Sequence, residues 1–203
     1  MRTTPPPNVR AGRQAVTSQP KITQRHLPEH CYSHRELQSI DGIVVHYVSA
    51  RWVDPDNRFS MRAIRRLLID LNSPADRRRW YEIDAAQRLY ASYHYVIGRR
   101  GGIHELVPLP RVAYHAGRSE MHGREGCNEF CVGVACVATH DSGFTASQYE
   151  AFDRLAYWLT DEHRICLDHI QGHEDVATPA GRKKDPGPKW EWERVRFNLE
   201  IPF

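Results

Sequence analysis

Gly42-Ile43-Val44-Val45-His46-Tyr47-Val48-Ser49 is the stretch from which the fold can be read. Its β-branched run suits a strand in a buried position. Downstream, Ser60 stands where it can cap a helix over 61–71, with Met61, Ile64, Leu68 and Leu71 on one face. A second helix is expected over 76–88. Tyr93-His94-Tyr95-Val96-Ile97-Gly98 reads as a strand. Arg99-Arg100-Gly101-Gly102 turns it into a partner strand starting at Ile103, because paired glycines permit the positive φ of a tight hairpin. Residues 109–129 lack a period and are rich in Gly, His and Arg, which predicts a long loop over the site. Residues 130–138 form another strand. Thr145-x-x-Gln148 resembles a capping box for a helix to about His163, with Tyr149, Phe152, Ala156 and Leu159 facing the core. A last helix is expected from near Lys189 to near Asn198. The order of elements is that of an α/β protein, a mixed central β-sheet flanked by α-helices.

Upstream, residues 1–34 are rich in Pro, Arg, Gln and Thr and poor in apolar side chains. They read as a flexible or loosely docked arm, with the folded domain over 35–203, and deleting 1–30 is expected to cost little stability. A chain of 203 residues suffices for one buried core. No apolar run approaches the roughly 20 residues that span a bilayer, so membrane insertion is not expected. Met1-Arg2-Thr3-Thr4-Pro5 has no hydrophobic stretch behind it, so no secretory signal is read and a cytoplasmic setting is expected. A net charge of only +3, with basic residues dispersed, speaks against nucleic acid. Even Arg77-Arg78-Arg79 lies beside Asp76 and Glu82, as on a solvated helix face. The five cysteines are odd in number and form no Cys-x-x-Cys pair, which points to reduced thiols rather than sulfur-ligated metal.

Chemistry concentrates near the C-terminus. Gly172-His173-Glu174-Asp175-Val176 is followed by Arg182-Lys183-Lys184-Asp185-Pro186-Gly187-Pro188, a loop whose Pro and Gly residues settle its path in advance. Taken singly, His46 is an ordinary core histidine, His173 a loop residue and Asp185 a turn residue before proline. Together they offer two nitrogens and a carboxylate oxygen. That set occurs in catalytic zinc sites, where a fourth position stays open for water, and it points to a hydrolase.

These and other segments carry a resemblance over roughly residues 41–197. They are Val44-Val45-His46, Tyr93-His94-Tyr95 with its Arg-Arg-Gly-Gly hairpin, and Tyr114-His115-Ala116-Gly117-Arg118-Ser119. Gly123-Arg124-Glu125-Gly126-Cys127-Asn128-Glu129-Phe130, the Phe144-Thr145 helix start and the Arg182 to Pro188 loop complete the set. The chain resembles the zinc-dependent N-acetylmuramoyl-L-alanine amidases (the amidase type 2 and peptidoglycan recognition protein fold). Within them it is most similar to the cytoplasmic branch that recycles anhydro-muramyl peptides. The resemblance implies Zn2+ held by His46, His173 and Asp185, with Lys183 as catalytic lysine. It also implies that His115, Arg118, Arg124 and Asn128 line the groove for a peptidoglycan or muramyl-peptide substrate. A monomer is expected.

Two departures matter. Where the recycling branch carries a strand glutamate, this chain has Ala135 in Val132-Gly133-Val134-Ala135-Cys136, and alanine moves no proton. Phage and animal relatives instead use a tyrosine at the place of Tyr93, so Tyr93 is read as catalytic rather than as a plain strand aromatic. Second, Gly126 stands where the recycling branch has an arginine, removing one guanidinium that meets a peptide carboxylate. A phage endolysin or exported lytic amidase remains an alternative, with release by a holin or a specialised export machine. A non-catalytic peptidoglycan-binding module is a second alternative. A structural zinc protein is not, because such sites usually close all four positions with Cys or His.

Overall fold

The computed structural model describes residues 18–51, 53–73 and 90–195. Its main sheet has six strands. In chain order they are β1 (Ile22–Gln24), β2 (Gly42–Val48), β3 (Tyr95–Ile97), β4 (Ile103–Glu105), β7 (Cys131–Val137) and β8 (Ile170–Gly172). A separate ribbon joins β5 (Glu120–Met121) to β6 (Arg124–Glu125). The sheet order is β1-β4-β3-β7-β2-β8. β3, β7, β2 and β8 run parallel, while β4 is antiparallel to β3 and carries β1 parallel to itself. The mixed sheet is as expected, and its two longest strands, β2 and β7, are apolar almost throughout because both faces are covered.

One face packs against α2 (Ala146–His163), where Tyr149, Phe152, Leu155, Ala156 and Leu159 meet Ile43, Val45, Val132, Val134 and Cys136. The capping box forms as expected. Gln148 N donates to Thr145 Oγ1 at 3.2 Å, and Thr145 N donates to Gln148 Oε1 at 3.1 Å. Gln148 is itself fully buried and donates from Nε2 to the carbonyls of Ile97 and Val137, tying the start of α2 to the ends of β3 and β7. The other face takes α1 (Met61–Asn72) and the loops of the site. Ser60 occupies the N-cap of α1, but its hydroxyl makes no capping hydrogen bond. The buried stripe of α1 uses Ala63, Ile64, Leu67 and Leu68, so Leu67 takes the place expected for Leu71.

The arm boundary at 34 needs correction. β1 pairs with β4 through Ile22↔Ile103, and Leu27 N donates to Leu106 O at 2.8 Å. Leu27 and Cys31 are buried against Ala63, Ile64 and Leu68 of α1. Sparse apolar residues suffice here because a sheet edge and a helix already supply the rest of the surface. The helix expected over 76–88 and the end of the last helix lie outside the described residues; helical backbone is seen at 192–195. The 109–129 loop holds the β5–β6 ribbon, turned by His122 (φ 49°) and Gly123 (φ 80°), the two positive-φ residues of a two-residue hairpin. All five cysteines are free thiols and four are buried. Among the described residues no helix is long and apolar enough to cross a membrane.

Candidate metal centre

His46 is the fifth residue of β2, facing the side opposite α2 and registered against Ala135 of β7. β8 pairs alongside β2 and ends at Gly172, so the next residue, His173, emerges level with His46 and starts the short helix α3 (His173–Val176). Gly172 lets the last loop lie across this strand end: a Cβ there would sit 2.7 Å from Pro186 Cδ. Glu174 N donates to Asp185 O at 2.8 Å, Gly187 N to Glu174 Oε1 at 3.2 Å, and Gly172 N to Asp175 Oδ2 at 2.9 Å. These clips bring Asp185 onto the two histidines. Its Oδ2 lies 2.9 Å from His46 Nδ1 and 3.1 Å from His173 Nδ1. All three ligand atoms fall within 4.8 Å of one another.

The donor set fits a cation. His173 Nε2 lies 3.1 Å from the Ala116 carbonyl, which only accepts, so that nitrogen carries the proton and Nδ1 presents a lone pair to the Asp185 carboxylate. Two acceptors in contact attract each other only through a positive charge between them. Burial pushes the His46 pKa down to about 4, with Asp185 pulling it back up and His173 and Lys183 adding to the fall, so its ring is neutral at pH 7. Two imidazole nitrogens and one carboxylate suit zinc in number and kind.

Tyr93 joins them, its ring centroid 5.1 Å from that of His46. Burial first, then the neighbouring Asp185 and Tyr47, hold the Tyr93 hydroxyl far above its ordinary pKa, so it remains a proton donor. Lys183, half-buried, sits within electrostatic reach of His46. Arg118 is exposed beside the site loop, and its carbonyl accepts from Arg182 Nη2 at 2.6 Å and Thr178 N at 3.0 Å.

Three of the residues expected to line the groove make polar contacts within the protein. His115 is only 6% exposed, with Nδ1 3.2 Å from His46 Nε2 and Nε2 3.1 Å from Cys131 O. Asn128 accepts from the amides of His115 and Ala116 at 3.0 and 2.8 Å and thereby shapes the 115–116 turn. Arg124 is paired to Asp41 at 2.7 Å, bonded to Ser39 and Gln38, and stacked 3.9 Å over the Phe130 ring. All three are committed to protein partners, because a loop this poor in apolar residues is held by polar contacts instead. Gly126, the site of the missing arginine, has φ 79°, a left-handed conformation that favours glycine. Sequence reasoning passed over Arg182, which binds the carbonyls of Ala116, Arg118 and Thr178 and so clamps the loop beside His173. Its position in the Arg-Lys-Lys-Asp run was its only signal.

Comparison with known proteins agrees with this geometry. A family model described as N-acetylmuramoyl-L-alanine amidase matches residues 36–188. The 1,6-anhydro-N-acetylmuramyl-L-alanine amidase AmpD of Haemophilus influenzae is 31% identical over 164 residues, covering 80% of this chain and 84% of that one. The AmpD of Escherichia coli (strain K12) is 37% identical over 108 residues, 53% of this chain and 58% of its own length. With the latter and similar relatives the alignment spans a little over half of their length. The crystal structure of a selenomethionine AmpD derivative superimposes with a TM-score of 0.66 at 25% identity, covering 89% of this chain and 96% of that one.

Proposed function

Since the chain belongs to the N-acetylmuramoyl-L-alanine amidase family, we propose that it hydrolyses the amide joining the lactyl group of N-acetylmuramic acid, or its anhydro form, to L-alanine. The observation that carries this reading is the meeting of His46 Nδ1, His173 Nδ1 and Asp185 Oδ2 at one point on the strand ends. These three residues would hold zinc. A zinc ion there supplies Lewis acidity toward the scissile carbonyl and a water molecule.

The remaining work falls to the chain's own side chains. Tyr93, kept protonated, donates a hydrogen bond to the oxygen that gains charge as the carbonyl is attacked. Lys183 directs its positive charge to the same oxygen. Ala135 faces His46 across the strands, so no carboxylate is available there to take the water proton. Arg118 remains the candidate partner for a stem-peptide carboxylate. Contact of Asp185 with both histidines supports a catalytic over a binding-only role. By the likeness of its loops to the recycling branch, we place the enzyme in the cytoplasm as a monomer acting on soluble fragments.

Two measurements test this. The purified protein should carry about one zinc per chain, and chelation should abolish hydrolysis, with recovery on adding zinc back; full activity in metal-free protein would refute the assignment. Mass spectrometry of products from anhydro-muramyl-tripeptide and from intact sacculi should show cleavage of the former. Release from sacculi alone would instead establish the lytic alternative.

A further inference from the structure

We propose that His115 is a positioning residue for this centre: it dictates that His46 carries its proton on Nε2 and turns the Nδ1 lone pair toward His173 and Asp185. The inference deepens the metal-site reading and rests on it. It starts from a backbone group. A carbonyl can only accept, so the 3.1 Å contact between Cys131 O and His115 Nε2 places a proton on that nitrogen. In the neutral ring His115 Nδ1 is then an acceptor. Among the described residues the group it meets at hydrogen-bond distance is His46 Nε2, at 3.2 Å, which must therefore donate. His46 Nδ1 is left bare, 2.9 Å from Asp185 Oδ2. The choice of tautomer at the ligand is thus inherited from a main-chain oxygen two bonds away in the network.

The scaffold fixes each link. β7 directs the amide and carbonyl of Cys131 and Gly133 to the same side, toward β3, but β3 begins only at Tyr95. Histidine side chains take over this open edge. Gly133 N donates to His94 Nδ1 at 2.9 Å, His94 N donates to Gly133 O at 3.0 Å, and His94 Nε2 reaches Arg111 O at 2.8 Å. His115 Nε2 takes the Cys131 carbonyl. Its ring can lie against the strand because residue 133 has no side chain: a Cβ there would come within 2.5 Å of His115 Cγ. Asn128 Oδ1 holds the His115 amide from the other side. The outer end of the His115–His46 pair is therefore tied to a backbone carbonyl, whose acceptor character does not change.

The test separates orientation from packing. His115→Asn keeps an acceptor at the place of Nδ1, whereas His115→Leu fills similar space without one; both lose the bond to Cys131 O. Zinc affinity, measured by competition with a chromophoric chelator, should fall about 10- to 100-fold in His115→Leu. It should stay within about threefold of wild type in His115→Asn. Long-range 1H–15N spectra of 15N-histidine-labelled wild-type protein, with and without zinc, should show His46 protonated at Nε2 in both states. That spectrum decides the question even if His115→Leu does not fold. Equal zinc affinity in Leu and wild-type proteins, or a His46 proton on Nδ1 in the metal-free form, overturns the inference. A wild-type protein that takes up no zinc overturns the metal reading beneath it, and is told apart because the metal-free spectrum still reports the His46 tautomer.

Discussion

Gly133→Ala is the smallest change that strikes the centre without touching a ligand. The backbone there is not left-handed, so alanine meets no conformational penalty of its own. The added methyl would lie 2.5, 2.8 and 2.9 Å from Cγ, Cδ2 and Cβ of His115, distances that force the ring to move. Overpacking of this kind costs about 1–3 kcal/mol. Displacing the ring also strips the buried Cys131 carbonyl and His46 Nε2 of their partner, and one unsatisfied buried group costs about 1–3 kcal/mol. The sum is about 2–6 kcal/mol, which for a chain of this size lowers Tm by roughly 4–24 °C. Urea unfolding of wild type, Gly133→Ala, His115→Ala and the double variant provides the assay. With the ring gone, only the 2.9 Å contact to Cβ remains, so the two changes should be non-additive by at least about 1 kcal/mol. If Gly133→Ala costs the same with and without the His115 ring, the steric reasoning is wrong.

Other expectations are independent of that one. Deleting residues 1–30 should leave the protein at least about 3 kcal/mol less stable than deleting residues 1–17, because only the longer cut removes β1 and the buried Leu27; equal urea midpoints would count against the docking seen here. Tyr93→Phe should keep zinc content and fold but lose on the order of 100- to 1000-fold in turnover, and Lys183→Ala a similar amount. The pair should lose less than the product of the two, since both serve one transition state; near-normal turnover of Tyr93→Phe would make it a packing residue. His94 is fully buried, and burial depresses its pKa to about 4 despite the bond to Arg111 O. The unfolded chain therefore binds a proton that the folded one refuses between pH 6.5 and 4, and stability falls as pH drops through that window, by up to about 3 kcal/mol. His94→Gln should flatten the profile there; an unchanged slope would show that His94 contributes none of it.

What could be read along the chain was whatever is encoded within a few turns of backbone. The β-branched run at 42–48, the capping box of Thr145 and Gln148 and the glycine hairpin at 101–102 act over short distances, and each forms where its residues stand. The grouping of His46, His173 and Asp185 was also legible, through their likeness to a known family, although His46 and Asp185 lie 139 residues apart. β1 was not, because one half-buried and two exposed residues acquire a strand identity only from β4, some 80 positions away. Nor were the tasks of His115, Asn128 and Arg124. A histidine, an asparagine and an arginine in a glycine-rich loop look alike whether they face solvent or a strand edge. Which of these each one faces depends on where β3 starts and on the absence of a side chain at Gly133, and those conditions exist only once the strands have been brought side by side.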